Sequence, residues 1–182
     1  MKIEVSGSWR KVADGCRTTV GMGKGTKEPT NRWKKRLLLA EHSPIRKLWY
    51  NWIWEDLKYW VSVHFVRHKH GVEHMVKTQR TDRNNGLDRN KLPQDAPVNH
   101  EVDANAQALI TMSRKRLCHE ASVETQQAMR KVRKAIKKVD PILASVMVPE
   151  CIYRGFCPEG VDGCISDSPK FAKMLEDYRE VK

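Results

Sequence analysis

Apolar positions in the second half of the chain recur at helical spacing. Ala106, Leu109, Ile110 and Met112 form a stripe that predicts a helix over Asp103 to Lys115, with Asp103 as its cap. A second helix opens at Ser122, whose Ser-Val-Glu-Thr start supplies a cap residue, and runs to about Val139, where Asp140-Pro141 ends it. Phe171 to Arg179 reads as a closing helix. Lys2 to Val5 alternates weakly, as an opening strand does, and Asn31 to Leu39 reads as helical, with a turn at Pro44. Ile45 to Val66 is rich in aromatics, crowded at Trp49, Tyr50, Trp52, Trp54, Tyr59 and Trp60. Within it Trp60 to Val66 carries β-branched and aromatic residues that favour a strand, although a buried helix also fits. Val146 to Pro149 and Ile152 to Gly155 look like a strand and turn. Arg80 to Val102 is polar, with two prolines and an Asn-Asn-Gly, and is expected to be a loop over the surface. No repeat or linker interrupts residues 1–182, so the pattern predicts a single α+β domain with an antiparallel or mixed sheet flanked by helices.

Composition narrows the partners. Hydrophobic residues are 40% of the 182, which predicts a folded chain. Lys and Arg outnumber Asp and Glu by 34 to 22, for a net charge of +12, and such an excess favours anions: nucleic acid, or phosphate-bearing nucleotides and dinucleotide cofactors. No apolar run reaches about 18 residues, so no membrane span is expected. The N-terminal stretch lacks the apolar core of a signal peptide, which makes a cytoplasmic location the default. The aromatic cluster is expected in the core or a subunit interface rather than stacked on bases.

The densest polar cluster is Arg67-His68-Lys69-His70, followed by Thr78-Gln79-Arg80. Guanidinium and ammonium groups gathered at one turn hold phosphates, the first by paired hydrogen bonds and the second as a point charge. Further on, Asn105, Met112 and Arg116 are separated by about two and three helical turns and approach one face. An Asn and an Arg on one face can grip a ring edge and an anion together.

In order and spacing these segments resemble the flavin-dependent thymidylate synthases. The family carries Arg-His-Arg, a seven-residue spacer, Ser-x-Arg, and later an Asn-Ala-Arg-Ser-Leu helix ending in an active-site Arg. Here Arg67-His68-Lys69, Thr78-Gln79-Arg80, and Asn105-Ala106-Gln107-Ala108-Leu109 with Arg116 match these in turn, and His42-Ser43-Pro44 resembles the family's Ser/Thr-Pro turn. Cys16-Arg17-Thr18-Thr19 and the Gly-Lys-Gly loop resemble its early helix and loop, so the likeness spans roughly residues 1 to 130. The spacer before Thr78 is one residue longer, Lys69 and Gln107 stand where the family has Arg, and the stretch before Asn105 is shorter than usual. The resemblance implies FAD contacts from Ser43, Arg67, His68, Lys69 and Asn105, with Thr111 as an addition. His64 would stand at a nucleotide-binding Gln position, and Thr78 and Arg80 would hold the nucleotide phosphate, across a subunit boundary. Arg116 would be the catalytic group over the pyrimidine. It further implies a homotetramer that methylates a deoxynucleotide monophosphate such as dUMP, with methylenetetrahydrofolate and NADPH as co-substrates. Nucleic acid is then not an expected partner. A basic nucleic-acid-binding protein, using the Trp cluster and the cations of Arg130 to Lys138, is the alternative from another class, and an inactive relative of the family is a third.

Cys118, Cys151, Cys157 and Cys164 could build a four-thiolate zinc site, but no Cys-x2-Cys pair is present, and ordinary reduced cysteines without metal are expected.

Overall fold

The computed structural model describes residues 1–181. A four-stranded antiparallel sheet, in the order β1-β2-β4-β3, forms its centre: β1 Glu4–Ser6, β2 Trp49–Lys58, β3 Val72–Val76 and β4 Pro97–Asn105. The helices are α1 Trp9–Thr19, α2 Asn31–Leu39, α3 Tyr59–Phe65, α4 Ala106–Arg116, α5 Val123–Val139, α6 Pro141–Val146, α7 Glu150–Arg154 and α8 Lys170–Arg179. This is the α+β domain expected from the pattern, and its sheet is antiparallel throughout. None of these helices is long and apolar enough to cross a membrane.

Alternation decides which face of the sheet is buried. Tyr50, Trp52 and Trp54 of β2 and Val98, His100, Val102 and Ala104 of β4 point to the helices, while Asn51, Ile53, Glu101 and Asp103 lie on the opposite face and are half-buried or exposed. Trp52 meets Trp54 edge-on at 5.3 Å between centroids, and Trp54 packs on Phe65 at 4.3 Å. The core is therefore where most of the aromatic cluster goes, although Tyr59 is exposed. Asp140 ties sheet to helices: its carboxylate accepts from the Tyr50 hydroxyl at 2.7 Å, the Trp9 indole at 2.9 Å and the Leu143 amide at 2.9 Å.

Four expectations are corrected. Trp60 to Val66 is helical, not a strand, because Val61, Ser62 and Phe65 bury one helical face once β2 has ended at Lys58. Arg80 to Val102 is not all loop. Its last six residues belong to the inner strand β4, and their weak apolar signal reflects a strand whose outer face is polar. The cap of α4 is Asn105 rather than Asp103: its Oδ1 accepts from the Ala108 amide at 2.9 Å, while Asp103 pairs in the sheet. Val146 to Gly155 holds the last residue of α6, a short connection and all of α7, not a strand and turn, and Gly155 closes α7 at φ 85°. The Ser122 cap, the end of α5 at Val139 and the closing helix stand as expected.

Candidate active site

Arg67 to His70 leave the end of α3 and turn into β3, so the cations are delivered by a helix rather than a strand. Their turn lies along α4. Arg46, Arg67, His68, Lys69, Gly71, Asn105, Gln107, Ala108 and Thr111 line a cleft of ≈ 460 Å³. Five residues proposed from sequence (Arg67, His68, Lys69, Asn105 and Thr111) are thus brought together. Arg46 joins them from a short 3-10 turn, Ser43–Lys47. The lining holds three permanent cations and no carboxylate, so the field inside favours an anion.

Gly71 makes the close approach possible. It sits at φ 70°, its carbonyl accepts from the Asn105 amide at 2.9 Å, and a Cβ placed on it would lie 2.2 Å from Asn105 Nδ2. Only glycine satisfies both the dihedral and the space. Asn105 thereby starts α4 and faces the cleft at once.

The other end of α4 delivers Arg116. Its Nε donates to His68 Nε2 at 2.9 Å and its Nη2 to the His64 carbonyl at 2.6 Å. Because Arg116 can only donate, His68 Nε2 must be the bare acceptor, and the neutral ring carries its proton on Nδ1. Burial first, then the charges of Arg116 and His74, push the His68 imidazolium down to a pKa of about 4. Burial, with Arg116 and Arg67 behind it, likewise lowers His64, whose Nδ1 is 3.0 Å from Thr125 Oγ1. Arg116 itself is lowered by burial and by Arg67. The charge of Arg67 thus acts on Arg116, and among the described residues neither guanidinium forms an ion pair with a carboxylate.

Behind this layer stand two histidines that sequence reasoning did not single out. His74 Nε2 lies 2.9 Å from the His68 carbonyl and must donate to it, which leaves His74 Nδ1 to accept from His100 Nε2 at 2.9 Å when both rings are neutral. His100 is fully buried beside Trp54, and its own Nδ1 has no partner. Burial and His74 hold its pKa at about 4. Their period-two placement in β3 and β4 is the available sequence signal, and it is legible only once Pro97–Asn105 is known to be a strand.

Three expected residues lie elsewhere. Ser43 is exposed at the start of the Ser43–Lys47 turn and does not line the cleft. Thr78 and Arg80 are exposed beyond β3, in a separate depression of ≈ 520 Å³ bounded by Tyr59, Arg89 and Pro93. Arg80 is already bound to Asp82, at 2.9 Å through Nε and 2.6 Å through Nη2. The expected shared face of Asn105, Met112 and Arg116 also needs correction, since Met112 is fully buried in the core while the two polar residues flank the 67–71 turn from opposite ends of α4.

No protein-family model and no curated protein matches the chain. Solved structures do. The flavin-dependent thymidylate synthase ThyX of Helicobacter pylori, crystallised with FAD and dUMP, superimposes with a TM-score of 0.65 over 81% of this chain and 100% of that one, at 12% identity. A second structure of that enzyme with FAD and dUMP gives 0.66 over 81% and 99%, also at 12% identity. The UMP/dUMP methylase PolB of Streptomyces cacaoi, bound to 5-Br dUMP, gives 0.64 over 85% and 94%, at 11% identity. The protein has the fold of the flavin-dependent thymidylate synthases and of this pyrimidine-nucleotide methylase. The fold expected from the motif order is thus the one found.

Proposed function

We propose that the protein is a divergent member of the flavin-dependent thymidylate synthase family that binds FAD and methylates dUMP, or a related deoxypyrimidine monophosphate, at C5. One observation carries this reading: Arg46, Arg67 and Lys69 line one cleft beside a neutral His68 with no carboxylate in the lining, an arrangement that gains most from an anionic guest. The same fold holds FAD and dUMP in the Helicobacter pylori enzyme.

The residues present fit a flavin dinucleotide in charge and donor type. Arg46, Arg67 and Lys69 would hold its phosphates, and Asn105, His68 and Thr111 would meet the ring system. Bound flavin would supply the hydride. Arg116 would lie against the pyrimidine. Its bonds to His68 and His64 fix the plane of the guanidinium and leave Nη1 for the substrate, where a permanent cation stabilises charge developing on the ring. Thr78 and Arg80 would hold the nucleotide phosphate of a neighbouring subunit's site in a homotetramer, which accounts for their distance from the cleft within one chain. Methylenetetrahydrofolate and NADPH are the co-substrates this reading assigns, and the cytoplasm its location.

Colour gives the first test. Protein purified in the presence of FAD is expected to be yellow, or to shift the visible spectrum of added FAD. Colourless protein with no such shift would sink the proposal. Tritium release from 5-labelled deoxyuridylate then tests the chemistry. A protein that binds flavin but releases no tritium from the uridylate or the corresponding deoxycytidylate is an inactive relative.

A further inference from the structure

A second basic cleft, of ≈ 490 Å³, is lined by α5, α6 and α8. Arg130, Arg133, Lys134 and Lys137 of α5 supply its charge, and Pro141 and Ala144 of α6, Val148, and Met174 of α8 its apolar part. None of its residues lines the cleft around Arg67. Two of the guanidiniums are held in place. Arg133 Nε donates to the Ala144 carbonyl at 3.1 Å, and Arg130 Nη2 donates to Gln126 Oε1 at 2.9 Å. Each bond fixes a side chain and leaves other N–H groups for a guest.

What the cleft lacks is counter-charge. The carboxylate in its lining, Asp177, is held by Lys173 at 2.9 Å. Among the described residues none of the four cations pairs with a carboxylate. Arg133 is half-buried besides, so a partly desolvated charge stands without a counter-ion. The cations also continue past the cleft: six of the nine residues 130–138 are Lys or Arg, and Lys131 and Lys138 are exposed. Arg130, Lys134 and Lys137 recur once per turn over about 10 Å of helix axis. That is room for about three phosphates of a stacked strand at roughly 3.4 Å each. A mononucleotide carries too little charge to answer this row, and a flat membrane surface does not enter a cleft. A strand of nucleotides supplies both parts, phosphates for the row and the face of a base for the apolar residues.

We propose that Arg130, Arg133, Lys134 and Lys137 bind the phosphate backbone of a single-stranded nucleic acid, with a base lodged against Val148 and Met174. The site takes no part in the flavin chemistry and stands whether or not that reading holds. It adds a polymer partner to a chain whose other cleft suits a small molecule.

The test is fluorescence anisotropy of a short labelled oligothymidylate titrated with the full chain at increasing salt. Binding is expected, with log K falling against log[salt] by about 0.7 for each phosphate engaged. Arg130→Gln, Lys134→Gln and Lys137→Gln combined change exposed positions at which Gln keeps the helix. Together they should weaken binding about tenfold or more and flatten the salt slope by about 2. Lys2→Gln, Lys11→Gln and Lys27→Gln combined remove the same charge elsewhere on the surface and should leave affinity within about twofold. Circular dichroism checks that both variants fold, and the spectral shift of added FAD should be the same in each as in the wild type. Absence of binding by the folded wild-type chain at low salt would overturn the proposal, as would equal losses in the two variants. Displacement of the strand by excess dUMP would place it in the cleft around Arg67 and overturn it too. So would capture of the chain by anionic phospholipid vesicles without binding of the strand, which would assign the row of cations to a membrane.

Discussion

Two basic regions invite phosphate, and they are built differently. Around Arg67 to Gly71 the cations stand on a turn pinned between β3 and α4, with a positive-φ glycine, a capping asparagine and a histidine bonded to Arg116. Around Thr78 to Arg80 the backbone is an exposed loop, and the guanidinium of Arg80 is already occupied by Asp82 two residues on. The first region is preorganised, so an anion binding there meets cations whose repulsion has already been imposed by folding. In the second, a phosphate reaching Arg80 must displace a carboxylate. Charge alone does not distinguish the two; the partners of each charge do.

The largest effect is expected at Arg116. Arg116→Ala should lower turnover about 10²- to 10³-fold, the loss typical of removing a group that stabilises developing charge, while FAD stays bound through Arg67 and Lys69. Spectral titration and tritium release measure the two separately. Undiminished turnover would mean that Arg116 is not the catalytic group. Next in size is Gly71→Ala, in which the new methyl group meets both a positive φ and the Asn105 amide. It should destabilise the fold by about 2–4 kcal/mol and weaken flavin binding. Urea unfolding checks the first and spectral titration the second. Gly86→Ala, at φ 78° with nothing near its Cβ, should cost about 1 kcal/mol and spare the flavin.

How much of this was legible in the sequence follows from the same contrast. Arg67, His68, Lys69 and Asn105 stand out in the sequence because motif order survives even where spacers drift, and they line one cleft. Helices α4 and α5 were found because their apolar stripes are long. The strand β4 was missed: its outward residues Asn99, Glu101 and Asp103 are polar and Pro97 opens it, so the segment resembles loop until its partners are known. With β4 went His100, and with His100 the meaning of His74. Trp60 to Val66 misled in the opposite direction, because β-branched and aromatic residues also suit a buried helix. Neither Arg46 nor the pairing of Arg80 with Asp82 had a signal beyond proximity in sequence, which does not determine what a flexible side chain touches.

Acid should act through the preorganised region. The pKa values of His68 and His100 are held at about 4, mainly by burial, against about 6.5 in the unfolded chain. The unfolded state thus binds more protons between these values, so their contribution is complete above about pH 6.5 and declines as pH falls through about 4. Protonating His68 also removes the lone pair that accepts from Arg116. The urea midpoint should therefore drop as pH is lowered over this range. His68→Gln, which keeps an acceptor but cannot titrate, should show a shallower decline. A wild-type midpoint that stays level or rises on acidification would contradict the assigned protonation states.

The smallest difference sharpens the comparison most. Arg67→Ala removes an unpaired guanidinium from the preorganised cleft and should weaken FAD binding about tenfold, or 1.4 kcal/mol. Arg80→Ala should leave FAD affinity unchanged and stability within about 0.5 kcal/mol, because an exposed ion pair two residues apart contributes little. Its expected effect falls on the apparent affinity for the nucleotide. Asp82→Ala should improve that affinity slightly, since it frees Arg80 for phosphate without touching the cleft. If Arg80→Ala weakens FAD as much as Arg67→Ala does, the two regions act as one site, and the contrast between a built pocket and an occupied loop fails.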